Sequence, residues 1–351
     1  MADRGGVLRT MQAAALTAAA VIATGGQAAA APAKGIVAEQ VTQSPEAALD
    51  YWTPERMRAA EPIEPPASPG AGTVDPGAQA AAIPPDQETD PSLDALFPQR
   101  VHGKLFLILG GQGAECSATV VNSRDDDLIV TAGHCLADPA TGDFAELLVF
   151  VPGYRNGVSP FGGFAATDYA TPKAWALRGH PGFDFGAIEL APSPIGLGLI
   201  QDAVGARGIA FNRSAKSFRR DDFELYGYPA APAPYDGERL ILCVSRFRGF
   251  EGFTGAPVVS PCHQQEGSSG GGWVRKGKVE SLISHGGCAI PSTACTLISG
   301  SYFGETEFKI YRRLGGISKG KKNKLKRCKK AAKKKRIKCR GKVQRFTSDS
   351  G

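Results

Sequence analysis

Residues 128–135 read LIVTAGHC, an apolar run that ends in a turn of small residues around a single histidine, His134. Leu128, Ile129 and Val130 form the kind of short β-rich run that is typical of a strand when turn residues bound it. The histidine is therefore expected directly after a strand, in a chain of 351 residues.

Similar runs recur through residues 101–311, separated by Gly, Asn, Asp and Pro. They lie at 104–109, 117–121, 146–151, 185–190, 223–226, 239–244 and 278–284. No part of 101–311 shows a sustained helical period, and 44 Gly and 25 Pro favour short strands joined by turns. With 42% hydrophobic residues the chain can build a core. We therefore predict an all-β body of about 200 residues, a barrel or a sandwich.

Two more motifs follow the histidine within this body. HPGFDFGAIEL at residues 180–190 places Asp184 before an apolar strand, and GSSGGG at 267–272 surrounds Ser269 with glycines. A serine hydroxyl becomes a useful nucleophile when an imidazole removes its proton, and the imidazole needs a carboxylate on its other nitrogen. His134, Asp184 and Ser269 are therefore the candidate catalytic residues.

Each candidate has competitors that the sequence leaves open. Asp143 and Asp168 also lie between the histidine and the serine, but only Asp184 precedes a clean apolar strand. Ser268 competes with Ser269 as the nucleophile, and the glycine frame favours Ser269. Glycines allow tight turns that aim N–H groups at a developing oxyanion, so the backbone of Gly267 and Ser269 forms the candidate oxyanion hole.

Together these motifs resemble the trypsin/chymotrypsin-like serine peptidases, particularly the secreted bacterial branch that includes the glutamyl endopeptidases. TAGHC is similar to that family's histidine motif, Gly-x-Ser-Gly-Gly to its nucleophile motif, and the order His, Asp, Ser is the same. CSAT at 116–119 and GYP at 227–229 extend the likeness over residues 101–311. Gly186 is a mild departure, because the family usually has alanine there.

The resemblance implies two six-stranded antiparallel β-barrels with a boundary near residue 200 and the triad in the cleft between them. It also implies a serine endopeptidase that cleaves protein or peptide substrates through an acyl-enzyme intermediate. A fold that has lost its activity is the competing hypothesis, although all three triad residues are present.

The eight cysteines contain no CxxC pair, and no histidine stands at zinc-site spacing from them. We therefore expect disulfides, with no metal and no cofactor. The resemblance suggests that Cys116 pairs with Cys135, and we expect Cys243 to pair with Cys262. Cys288 and Cys295 most simply close their own loop, and Cys328 and Cys339 remain for the tail. The acidic turn at residues 125–127 is expected to be a solvated hairpin tip rather than a calcium site.

The resemblance also indicates the walls of the substrate pocket. Residues 262–269 contain no Asp, so a trypsin-like carboxylate at the pocket base is not supported. The residues assigned to the pocket are His263, Ser284, His285 and Gly286. In the glutamyl branch a histidine and small hydroxyls receive an acidic side chain, which makes an acidic preference a hypothesis for this chain.

The first hundred residues indicate export and processing. Residues 1–30 have the layout of a signal peptide: a basic start, an apolar stretch and a small-residue cleavage site. Residues 31–100 are rich in Pro and Ala, so we expect a disordered linker or pro-segment, with a short docking helix around 45–58. Arg100–Val101 is the expected processing bond. Ser268 carries no charge, so activation should need no ion pair with a new N-terminus.

The last forty residues, 312–351, form a basic tail. Residues 312–345 hold 18 Lys and Arg and no Asp or Glu, although the whole chain carries a net charge of only +7. A secreted tail of this kind is expected to stay unfolded and to bind anionic cell-envelope polymers rather than a specific nucleic acid. No apolar run beyond residue 30 is long enough for an integral membrane protein. The expected location is extracellular, with the basic tail as a candidate anchor to the cell wall.

Overall fold

The computed structural model describes residues 33–63, 65, 86–231, 235–264, 266–287 and 297–315. Its strands are β1 (Ile36–Gln40), β2 (Glu61–Pro62), β3 (Gln87–Glu88), β4 (His102–Leu109), β5 (Gln112–Val120), β6 (Leu128–Thr131), β7 (Glu146–Pro152), β8 (Phe164–Pro172), β9 (Gly186–Leu190), β10 (Gly208–Ile209), β11 (Phe223–Gly227), β12 (Ile241–Phe250), β13 (Pro257–Ser260), β14 (Gly272–Arg275), β15 (Lys278–Gly287) and β16 (Leu297–Gly300). The helices are α1 (Pro45–Tyr51), α2 (Pro54–Arg58), α3 (Lys173–Ala176), α4 (Ile200–Val204), α5 (Ala215–Phe218) and α6 (Glu305–Arg313).

Two closed antiparallel barrels of six strands each form the body. The first runs β4-β5-β6-β9-β8-β7 and closes where β7 pairs with β4. The second runs β11-β12-β13-β16-β15-β14 and closes where β14 pairs with β11. Closure leaves no free sheet edge in either barrel. The predicted all-β, two-barrel fold is therefore confirmed.

Side chains of β-branched and aromatic residues fill both barrels, as expected for strands that pack on a closed core. In the first barrel Val120, Ile129 and Ile188 are fully buried. In the second, the Phe223 ring lies 5.4 Å from that of Phe218 and 5.9 Å from that of Trp273. These cores fix the strand ends that carry the functional residues.

The sequence pattern missed β8, β13, β14, β16 and the helix α6 at the end of the body. Helix α6 spans only nine residues, too few to show a sustained period. Its first turn is held by Glu307, whose Oε2 accepts a hydrogen bond of 2.9 Å from the Gly304 N–H. Tyr311 from the same helix donates to the Asn122 carbonyl at 2.7 Å and so anchors it on the first barrel.

The N-terminal segment is ordered wherever the structure describes it, which differs from the expected disordered linker. Strand β1 pairs with β8, and helices α1 and α2 form in the region where a docking helix was expected. Trp52 is 4% exposed and donates to the Leu147 carbonyl at 2.6 Å. The segment gains its order from the first barrel, because it adds a strand there and inserts one large aromatic side chain.

The Arg100–Val101 bond is not the exposed processing site that the sequence suggested. It lies in a 3-10 turn, where the Arg100 N–H donates to the Leu96 carbonyl at 3.0 Å and the Arg100 Nε donates to the Val204 carbonyl at 2.8 Å. Val101 has no exposed surface. A protease would reach this bond only after local unfolding.

Several predicted features lie outside the described residues. They are the signal peptide at 1–30, Cys288, Cys295, Cys328 and Cys339, and the basic tail beyond Gly315. In the part of the chain that the structure describes, no helix has the length and apolar character to span a bilayer.

Candidate active site

His134 and Asp184 are held together at the end of the first barrel. His134 follows β6 and Asp184 precedes β9, and these two strands pair with Thr131 opposite Gly186. The Nδ1 of His134 lies 2.8 Å from Asp184 Oδ2, and the His134 backbone N–H donates to Oδ1, also at 2.8 Å. Because an ionised carboxylate only accepts hydrogen bonds, Nδ1 carries the hydrogen and Nε2 is free to accept a proton.

Asp184 is fully buried and yet remains a charged partner. Burial would raise the pKa of its carboxyl group, but His134 and the hydroxyl of Ser284 outweigh that effect and lower the pKa below its ordinary value. The Ser284 hydroxyl donates to Asp184 Oδ2 at 2.5 Å. Three hydrogen bonds therefore orient one carboxylate toward one imidazole.

The histidine is also tied to the barrel wall through its neighbour. Cys135 forms a disulfide with Cys116 of β5, with the two Cα atoms 6.3 Å apart. The Trp175 ring packs edge-on against the His134 ring, with the two ring centroids 6.0 Å apart. The Trp175 Nε1–H donates a hydrogen bond of 3.0 Å to the Ala137 carbonyl. Trp175 is a supporting residue that the sequence analysis missed, since no local motif marks it.

Ser269 lies in the turn before β14 and is 3% exposed. Gly270 has a φ of +86°, and a Cβ there would lie 2.3 Å from the Ser117 carbonyl oxygen, so only glycine fits. Ser117 of the first barrel holds this turn through two hydrogen bonds. Its backbone N–H donates to the Ser269 carbonyl at 2.7 Å, and its side-chain hydroxyl donates to the Gly267 carbonyl at 3.0 Å. Ser268, the preceding residue in the same turn, has no exposed surface.

The polar atoms that catalysis would need are unused. Among the described residues, the buried Nε2 of His134 has no hydrogen-bond partner. Within the same ranges, the backbone N–H groups of Gly267 and Ser269 have no acceptor. A free imidazole nitrogen and two free N–H groups beside a serine can support nucleophilic acyl transfer.

The four residues assigned to the substrate pocket separate into two places. Ser284, His285 and Gly286 share β15; Ser284 reaches Asp184, His285 reaches Glu251, and the backbone of Gly286 is exposed. His263 contacts Asp86 instead, with Nδ1 3.6 Å from Oδ1. Glu251 and Asp86 were missed because both lie far from the motifs in sequence.

Two groups of potential metal ligands occur in the described ranges. One joins His134 with Cys116 and Cys135, and the other joins Asp86 with Cys243 and Cys262. The cysteines of each group are bonded to one another as disulfides, so neither group offers a thiolate.

The chain has clear relatives among known proteases, although no protein-family model matches it. A glutamyl endopeptidase of Bacillus licheniformis is 38% identical over 102 residues, 29% of this chain and 29% of that protein. An extracellular metalloprotease of Bacillus subtilis is 32% identical over 112 residues, 31% of this chain and 34% of that protein. The chain thus spans about a third of the length of these curated relatives.

One solved structure matches this chain over nearly its own full length. It is the thermostable serine protease AL20 from an extremophilic microorganism, 32% identical with a TM-score of 0.55, and the match spans 62% of this chain and 97% of that one. Since the chain matches nearly all of that protease in both sequence and fold, it belongs to the trypsin/chymotrypsin-like serine peptidase family and is similar to the glutamyl-endopeptidase-like bacterial branch.

Proposed function

We propose that this chain is a secreted serine endopeptidase with Ser269 as nucleophile, His134 as general base and acid, and Asp184 as the group that orients His134. The observation that carries the proposal is the fully buried Asp184 carboxylate, which receives both the side chain and the backbone N–H of His134 at 2.8 Å. A carboxylate in this position favours the imidazole tautomer with a free Nε2 and stabilises the imidazolium ion.

In the proposed reaction Ser269 Oγ attacks the carbonyl carbon of the scissile peptide bond while its proton passes to His134 Nε2. The carbonyl oxygen becomes an oxyanion, which the N–H groups of Gly267 and Ser269 stabilise. Collapse of this intermediate breaks the C–N bond, and His134 gives the proton to the leaving amine. Water then hydrolyses the acyl-enzyme by the same steps and regenerates the serine.

The direct test is labelling of the folded protein with a fluorophosphonate, followed by mass spectrometry of the modified peptide. The label should be on Ser269, and Ser269→Ala should abolish both labelling and peptide cleavage. Ser268→Ala is the matched control, because this buried serine occupies the preceding position in the same turn. Labelling of Ser268, or cleavage that survives in Ser269→Ala, would contradict the assignment.

The proposed substrates are proteins and peptides, and a preference for acidic residues remains a hypothesis. His285 already holds a carboxylate, that of Glu251, at 3.1 Å, and His263 holds Asp86. Both candidate acid receptors are therefore engaged inside the protein. A peptide-library profile tests the preference: cleavage mainly after Glu or Asp would support it, and cleavage mainly after Arg or large aromatic residues would reject it.

Activation is proposed to follow removal of N-terminal residues, with the segment from Asp86 onward retained. Glu88 pairs with Arg155 and Arg239 at 2.6 and 3.1 Å, and Arg155 also pairs with Asp94. These ion pairs join the segment to the body. N-terminal sequencing of the secreted, active protein should find a start well beyond Lys34 and no later than Asp86. A start at Val101, or a fully active protein that starts near Lys34, would contradict this proposal.

The competing proposal is a catalytically silent protein that binds anionic cell-envelope polymers through residues 312–345. The 18 Lys and Arg residues of that segment favour such binding in an active enzyme as well. A chain ending at Gly315 keeps the hydrogen bond of 2.6 Å from the Arg124 N–H to the Gly315 carbonyl. Truncation there should leave turnover of small peptides unchanged and abolish salt-sensitive binding to cell-wall material. Equal partitioning of both forms at low salt would exclude the anchor.

A further inference from the structure

A second imidazole–carboxylate pair lies one residue from the site of the proposed triad. His285 follows Ser284 on β15, and its Nε2 lies 3.1 Å from Glu251 Oε1. Its Nδ1 lies 3.0 Å from the Ser284 hydroxyl, which itself donates to Asp184 Oδ2. A continuous chain of polar contacts thus runs from Asp184 through Ser284 and His285 to Glu251.

The hydrogens in this chain can be assigned from the partners. The Ser284 hydroxyl has one hydrogen, and the 2.5 Å contact with the Asp184 carboxylate requires it. Ser284 Oγ must then accept a hydrogen from His285 Nδ1. Glu251 is also an acceptor, so His285 Nε2 must donate to it. Both contacts of the His285 ring are satisfied together only when each ring nitrogen carries a hydrogen.

Hydrogen bonds from its neighbours keep Glu251 ionised, so that it can act as the counter-ion of His285. Its Oε2 accepts the Thr254 hydroxyl at 2.5 Å, and its Oε1 accepts the Ser299 hydroxyl. Burial would raise the pKa of this carboxyl, but the hydrogen bonds from His285, Ser299 and Thr254 lower it to about 2. Glu251 therefore stays ionised at every pH at which the protein is expected to work.

The loop that carries Glu251 reaches the first barrel beside Asp184. This loop, residues 251–256, joins β12 to β13. A Cβ on Gly182 would lie 2.1 Å from the Thr254 carbonyl oxygen, so the two backbones touch. The Phe253 ring stacks on that of His180, with centroids 6.4 Å apart. The counter-ion is thus held between both barrels.

We propose that Glu251 and His285 are positioning residues for Asp184. Glu251 keeps His285 doubly protonated, and the imidazolium leaves the Ser284 hydroxyl only one acceptor, Asp184. A neutral His285 would offer Ser284 a competing acceptor at Nδ1 and so weaken the bond to Asp184. The effect on catalysis rests on the proposed function; the protonation of His285 does not.

The carboxylates near His285 both favour a positive charge on its ring. Glu251 faces it from the β12–β13 loop and Asp184 lies beyond Ser284, so two carboxylates favour the imidazolium. His134 lies beyond Asp184 in the first barrel, and His180 contacts Phe253 of the same loop. Removing the Glu251 charge should therefore favour the neutral form of the His285 ring.

The first test is NMR of histidine-labelled full-length protein in a Ser269→Ala background, which prevents self-cleavage. His285→Gln identifies the resonance. At neutral pH the 15N shifts should show a hydrogen on both ring nitrogens of His285, and in Glu251→Gln one ring nitrogen should lose its hydrogen. A neutral His285 ring in the protein that retains Glu251, or the same protonation state in both proteins, would overturn the proposal, and this readout is independent of activity.

The second test is a double-mutant cycle on small peptide substrates. Glu251→Gln should lower kcat about tenfold with little change in KM, and should have no further effect once Ser284→Ala is present. Arg248→Gln, an exposed change on the same hairpin, is the control and should leave kcat unchanged. If Glu251→Gln lowers kcat equally in the wild-type and Ser284→Ala backgrounds, Glu251 acts only through folding of the hairpin. That result would overturn the positioning role.

Discussion

A Cβ atom on Gly186 would lie 2.4 Å from Leu136 Cδ1. Gly186 opens β9 two residues after Asp184, at the position where the family usually has alanine. Leu136 is fully buried and occupies the space that the alanine methyl group would need. The glycine therefore leaves room for the Leu136 side chain beside the His134–Asp184 pair.

Gly186→Ala should destabilise the protein by about 1–3 kcal/mol, because it overpacks this contact. The same change should cost less in a Leu136→Ala background, where the leucine side chain is gone. Chemical denaturation of the wild type, the two single variants and the double variant measures the free energy of unfolding for each. Equal costs in both backgrounds would mean that the Ala132 carbonyl, 3.0 Å from the added carbon, sets the penalty instead.

Asp184→Asn should lower kcat/KM for peptide cleavage by about 10⁴-fold, because an amide that donates to Nδ1 leaves the wrong tautomer of His134. Asp168→Asn is the matched control, since Asp168 lies on β8 and pairs in register with Gln40 rather than with the histidine. It should keep activity within about twofold. Thermal denaturation of both variants separates loss of catalysis from loss of fold. A large loss in Asp168→Asn with an active Asp184→Asn would reverse the assignment.

Glu307 should make stability depend on pH. Burial raises its pKa to about 7, so the folded protein binds a proton there that the unfolded chain releases near the ordinary value of 4.5. The stability contributed by that proton is present at pH 4.5 and is lost as pH rises through about 7.

Glu307→Gln keeps an acceptor for the Gly304 N–H and removes the charge. Relative to the wild type it should gain about 2–3 kcal/mol between pH 5 and pH 8 in denaturant melts. Glu305→Gln, an exposed change in the same helical turn, should show no such gain. An identical pH slope in the wild type and Glu307→Gln would count against the burial argument.

Trp52→Ala should cost about 3–5 kcal/mol of stability if the N-terminal segment is part of the folded body. The Trp52 ring lies 5.5 Å from that of Phe106, and its Nε1 donates to Leu147. Leu96→Ala, at a site 52% exposed, is the control and should change stability by less than about 0.5 kcal/mol. Equal melting temperatures for Trp52→Ala and the wild type would show that the segment is dispensable.

Much of the fold and the candidate site could be predicted from local sequence, because the determining features are local. Small residues beside His134 and glycines around Ser269 are needed where backbone passes close to other backbone, and any chain with that turn geometry must show them. The runs of β-branched residues predicted most barrel strands for the same reason. The pairing of Cys116 with Cys135 was implied by the family resemblance, and the structure contains that disulfide.

Contacts between distant segments were decided only by the tertiary structure. Ser284 lies 100 residues from Asp184 in sequence, and Glu251 lies 34 residues from His285. Which side chain of a strand meets which distant partner depends on strand register and barrel closure, and a hydrophobic pattern of period two cannot specify either one. The order of the N-terminal segment has the same origin, since its own composition buries little and the barrel supplies the surface on which Trp52 packs.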